Sequence, residues 1–95
     1  MNRHDTEMTQ ADYAAARPYA MVIEWSGSDR KFVVTVPDLR GCVTAGATRE
    51  EAARNGEEAI ASMLAAFADR GVQRPAPRFT ALEEVASAGA GFRSA

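Results

Sequence analysis

The sequence predicts an α+β domain, a three-stranded antiparallel meander covered by one helix and followed by a short fourth strand, in the order β-β-β-α-β. Two period-two segments at residues 19–25 and 31–36 predict the strands, and a segment of spacing three and four over residues 48–70 predicts the helix. Turn chemistry between them separates the elements cleanly.

Residues 1–18 hold few large apolar side chains, and Pro18 closes them. Thr9 followed by Asp12 has the makings of a helix cap, but so short a helix is marginal in water, so this segment is expected to be a loose tail. From Tyr19 the bulky residues Tyr19, Met21, Ile23 and Trp25 alternate with Ala20, Val22 and Glu24, which places them on one face of a first strand. Ser26, Gly27, Ser28 and Asp29 turn the chain, and Phe32, Val34 and Val36 line one side of a second strand. Pro37 cannot donate to a ladder, so that strand stops, Asp38 to Gly41 make a tight turn, and residues 42–45 run back as a third strand.

Thr48 and Glu51 predict a capping box and a helix start. Ala52, Gly56, Ala59, Ile60, Met63, Leu64 and Phe67 form one stripe, while Glu50, Arg54, Glu57 and Glu58 lie mostly opposite. Acidic residues in the first turn and Arg70 in the last suit the macrodipole, and Gly71 is a natural C′ residue. Beyond it, Pro75 and Pro77 enforce an extended path into a short edge strand through Arg78, Phe79 and Thr80. The organisation is therefore a tail over residues 1–18, a folded unit over 19–80 and a second, alanine- and glycine-rich tail over 81–95.

Composition narrows the function classes. With 11 Lys and Arg against 13 Asp and Glu, the net charge of −2 offers no dense cationic footprint for a phosphate backbone, so DNA binding by this chain alone is not expected. The single cysteine, Cys42, and single histidine, His4, make neither a disulfide nor a zinc cluster, and no metal or other cofactor is expected. Nothing approaches the roughly 20 apolar residues of a membrane helix, and residues 1–10 are polar and acidic, so a cytoplasmic location without membrane association is the expectation.

The run Val36, Pro37, Asp38, Leu39, Arg40, Gly41, Cys42, followed by Gly46, Ala47, Thr48, Arg49, Glu50, Glu51, Ala52, resembles the signature of the HicB-like antitoxin family. Asn55, Glu58, Ala59 and Ile60 in the helix, Gly71 after it, and Pro75, Ala76 and Pro77 in the exit segment are also similar to the family. Arg40 stands where many relatives carry proline, and Ala47 where an acidic residue is common. The residues after Phe79 are too few and too poor in large apolar side chains for the DNA-binding segment of many members. The resemblance implies a pared-down ribonuclease-H-like domain that docks against a small HicA-like, mRNA-cleaving toxin without chemistry of its own. The alternatives are a regulator or adaptor lacking a toxin, and a metal-dependent nuclease on the same scaffold.

A two-metal nuclease needs convergent carboxylates that hold ions about 3.5–4 Å apart. Glu24 is the only acid within the strand sequences, while Glu50, Glu51, Glu57 and Glu58 belong to the cap or the solvated helix face, so no such cluster is implied. Cys42 lacks an imidazole base in the folded unit and reads as a small buried hydrophobe. The candidate partner-binding residues are Glu24 and Trp25 at the first hairpin and Asp38 and Arg40 in the turn; Trp25 reads equally as an interface anchor and as a cover for the hairpin end. For Asp38, hydrogen bonds from the amides of its own turn are the structural alternative to recognition.

One core in a unit of roughly 60 residues seldom supplies more than about 3–5 kcal/mol. The small residues Ala52, Ala53, Gly56 and Ala59 further limit what the helix buries, so a homodimer is expected.

Overall fold

Alternation of β-branched and aromatic residues on either side of Ser26–Asp29 closes a hairpin, and a second reversal at Pro37–Gly41 adds a third strand. The computed structural model describes residues 9–78. Its elements are α1 (Gln10–Ala16), β1 (Val22–Ser26), β2 (Lys31–Thr35), β3 (Val43–Gly46) and α2 (Arg49–Asp69). The sheet order is β1-β2-β3 and both pairings are antiparallel. The α+β class and the β-β-β-α order thus agree with the sequence reading.

Register decides which side chains share a face. Val22, Thr35 and Val43 form one cross-strand row, Ile23, Val34 and Thr44 the next. Side chains alternate between faces along a strand, so these rows point oppositely. The face holding Ile23, Phe32 and Val34 meets α2, and Val34 is fully buried there. The other face lies open among the described residues, with Val22 42% and Val43 58% exposed.

The first correction concerns residues 9–18, expected to be loose. Thr9 and Asp12 complete a capping box, the Asp12 amide donating to Thr9 Oγ1 at 3.1 Å and the Thr9 amide to Asp12 Oδ2 at 2.9 Å. An isolated helix of this length would melt, but Ala16 is 2% exposed in the core and Tyr13 and Ala15 pack against it beside α2. Tertiary burial supplies what helix propensity lacks. The remainder of that tail, residues 1–8, lies outside the described residues.

Strand limits also differ. β1 begins at Val22 because Tyr19 turns inward instead of joining the ladder; it is 5% exposed and its hydroxyl donates to the Pro75 carbonyl. β3 begins one residue after Cys42, whose backbone closes the preceding turn by donating to Leu39 O and accepting from Val36 N. Gly41 carries φ +81°, the left-handed conformation that this turn demands.

α2 starts where the sequence places it, with Thr48 Oγ1 accepting from the Glu51 amide at 3.0 Å. The expected capping box is only half made, since Glu51 Oε1 accepts from the Ala47 amide at 2.8 Å, one residue before the cap. At the other end Arg70 is the cap itself and not part of the last turn. Gly71 takes φ +67°, and the bonds Val72 N to Phe67 O and Gly71 N to Ala68 O make a Schellman motif.

The inner face of α2 comprises Ala52, Gly56, Ile60, Ala61 and Leu64, so Ala61 joins the expected stripe, whereas Phe67 is only partly buried. Phe67 packs at the rim of the core and lines a groove with Cys42 and Val43. Residues 72–78 form no strand, and of the expected fourth strand only Arg78 is among the described residues. Pro75 and Pro77 have no N–H to offer a ladder, and the Arg78 amide is taken by the Asp38 carboxylate. Phe79, Thr80 and residues 81–95 lie outside the described residues. Among the described residues no helix is long and apolar enough to cross a membrane.

Two stability predictions follow from this packing. A Cβ built at Gly46 stands 2.5 Å from the Ala52 nitrogen and 2.8 Å from its Cα, so Gly46→Ala must push α2 off the sheet. Its expected cost is about 1–3 kcal/mol, read as a lower urea midpoint. Ile60→Ala, at a fully buried position, is expected to cost about 2–5 kcal/mol and more than Phe67→Ala; the reverse order would contradict the burial described.

Candidate functional site

The four sequence-predicted residues do not form one cluster. Trp25 pairs with Phe32 at the hairpin end of the sheet, while Asp38 and Arg40 follow β2 at the opposite end. Glu24 and Trp25, being adjacent in β1, project to opposite faces; Glu24 shares the open face with Val22 and Val43.

Trp25 sits in a small aromatic and cationic assembly that the hairpin register creates. Its ring stands edge-on to Phe32 at 5.1 Å between centroids, and the Arg49 guanidinium lies 4.8 Å from the Phe32 centroid. Trp25 is 56% exposed despite these contacts, so a large, pre-oriented surface remains for a partner. Phe32 and Arg49 were missed as site residues at the sequence level. The signal for Phe32 was available, because a four-residue loop after Ser26 sets it opposite Trp25.

Asp38 is placed differently from an exposed recognition residue. Its side chain is 2% exposed, and its carboxylate accepts from the Arg78 amide at 2.8 Å and from Arg78 Nε at 3.2 Å. The carboxylate therefore ties the turn to the exit segment 40 residues later in sequence, a partner that turn chemistry cannot foretell. Arg78 itself is 76% exposed at its side chain, so solvent screens the ionic part of the contact. Satisfying a buried carboxylate is the larger effect.

Arg40 is exposed and lines two adjoining depressions. One, between the turn and the exit segment, is bordered by Pro37, Pro75 and Arg78. The other is a groove of about 470 Å³ between the start of β3 and the C-terminal half of α2, with Met63 and Phe67 in its floor and Arg70 at its far side. Cys42 lines this groove as a free, buried thiol, and burial pushes its pKa up from the ordinary value. Among the described residues no three His, Cys, Asp or Glu side chains come together to hold a metal ion.

A family model described as "HicB_like antitoxin of bacterial toxin-antitoxin system" matches residues 19–92, which takes in the whole sheet, the turn and α2. The chain belongs to this family. Comparison with curated proteins and with solved structures finds no match. For this HicB-like chain, α1 lies before the matched region and packs against α2.

The Cys42 environment yields a pH prediction. Because the folded pKa exceeds the unfolded one, the thiol contributes stability that is full below the ordinary thiol value and is lost as the pH rises from about 8.5 upward. Unfolding midpoints that fall over that range in the parent but stay flatter in Cys42→Ala are expected. Alkylation of the native thiol at pH 8 should run at least about tenfold slower than in urea.

Proposed function

We propose that this HicB-like antitoxin neutralises a small HicA-like, mRNA-cleaving toxin by covering its functional surface. The observation that carries this reading is the family match over residues 19–92, in which antitoxin action is the shared property. The domain acts as a shaped body and not as a catalyst, and its scaffold is read as a reduced ribonuclease-H-like fold working in the cytoplasm.

The contact is proposed to centre on Trp25. An aromatic residue already braced by Phe32 loses little side-chain entropy on docking, which favours it as an anchor over Glu24. Arg40 is a second exposed contact, whereas Asp38 contributes by holding the turn that presents Arg40. A homodimer is proposed as the working assembly, supported by the open sheet face carrying Val22 and Val43.

Co-expression with the toxin encoded beside it tests the reading. The expected outcome is co-elution and relief of growth arrest by this chain. Trp25→Ala should weaken binding by at least about 30-fold, the effect of an anchor worth 2 kcal/mol or more, while leaving the unfolding midpoint nearly unchanged. RNA cleavage by the purified chain alone, or failure to bind any neighbouring toxin, would overturn the proposal.

A further inference from the structure

The groove between β3 and α2 pairs an apolar floor with two cations. Met63 and Phe67 are partly buried against the core and exposed toward the groove, and Arg40 and Arg70 border it as exposed side chains. Neither arginine makes an ion pair with a described residue. Such a surface fits a short segment that presents apolar side chains together with carboxylates.

The chain carries one such segment close at hand. Residues 81–86 read Ala-Leu-Glu-Glu-Val-Ala, with Leu82 and Val85 beside Glu83 and Glu84. The chain is held at Arg78 by two hydrogen bonds to Asp38, and Arg40 borders both the depression that Arg78 lines and the groove. From Arg78 to Leu82 the chain can span up to roughly 13–14 Å when extended, and Arg40 lines both depressions. A segment tethered so closely acts at an effective concentration in the millimolar range, which favours it over an untethered competitor.

We propose that the groove lined by Arg40, Met63, Phe67 and Arg70 is the docking site for the chain's own residues 81–86. Leu82 and Val85 cover Met63 and Phe67, and Glu83 and Glu84 neutralise the two arginines. The proposal shares Arg40 with the toxin reading, but its test uses this chain alone, so the two can fail separately.

Nuclear Overhauser spectra of the full chain test it at low ionic strength. Cross-peaks are expected between the Leu82 or Val85 methyls and the Met63 methyl or Phe67 ring. They should vanish in Glu83→Arg/Glu84→Arg and return when Arg40→Glu/Arg70→Glu is added. Unchanged dispersion of the Val36 and Ile60 methyl signals shows in each variant that the core is intact. Absence of the cross-peaks in the parent chain overturns the proposal. So does their persistence in the acidic-site variant, or their appearance only between differently labelled chains, which would make the occupant a second copy.

Discussion

How closely α2 can approach the sheet controls nearly everything else in this molecule. At the sheet edge Gly46 leaves room for the backbone of Ala52, and in the middle Gly56 leaves room for the Met21 sulfur and Val34. Side chains of ordinary size at these two points would hold the layers apart and leave Val34, Ile60 and Leu64 under-packed. With glycine there, Val34 and Ile60 reach complete burial and Leu64 nearly so. The same close approach lets Asn55 donate across the layers to the Ala45 carbonyl at 2.8 Å, tying the helix to the edge strand.

Two further ties determine the route of the chain on either side of this sandwich. Tyr19, at the exit of α1, is buried and donates to Pro75, while Asp38, in the second turn, holds Arg78. Both ties join segments far apart in sequence to the segment after α2, so α1, the turn and the exit path are mutually fixed. The Asp38 bonds matter less as an ion pair than as solvation of a carboxylate that the turn has removed from water.

The proposed docking needs surfaces that keep their shape. The Trp25, Phe32 and Arg49 assembly is one such surface, built where the hairpin register meets the N-terminal end of α2. Arg40 stands at the other end of the sheet on a turn closed by three backbone hydrogen bonds. The two lie on a common rigid body, because β2 runs from Phe32 to the turn without interruption. Rigidity of this kind lowers the entropy cost of the docking proposed above.

Much of the architecture is local in origin and so was legible in the sequence. Period-two alternation, Pro37 and Gly41 at the turn, Thr48 at the helix start and Gly71 at its end act through near neighbours, and each produced the element or boundary it implied to within a few residues. The sequence motifs around residues 36–42 and 46–52 were also sufficient to indicate the family, since they describe a turn and a cap in fixed order. Tertiary structure decided what depends on distant partners. α1 exists because α2 offers it a surface, Tyr19 leaves the strand because the core and Pro75 hold it, and residues 75–78 stay out of the sheet because Asp38 claims their one well-placed amide. Separation of Trp25 from Arg40 likewise follows from sheet geometry, whereas the opposite facing of Glu24 and Trp25 was already implied by their alternation. Local patterns name the elements, but only long-range burial and hydrogen bonding determine which side chains remain at the surface to meet a partner.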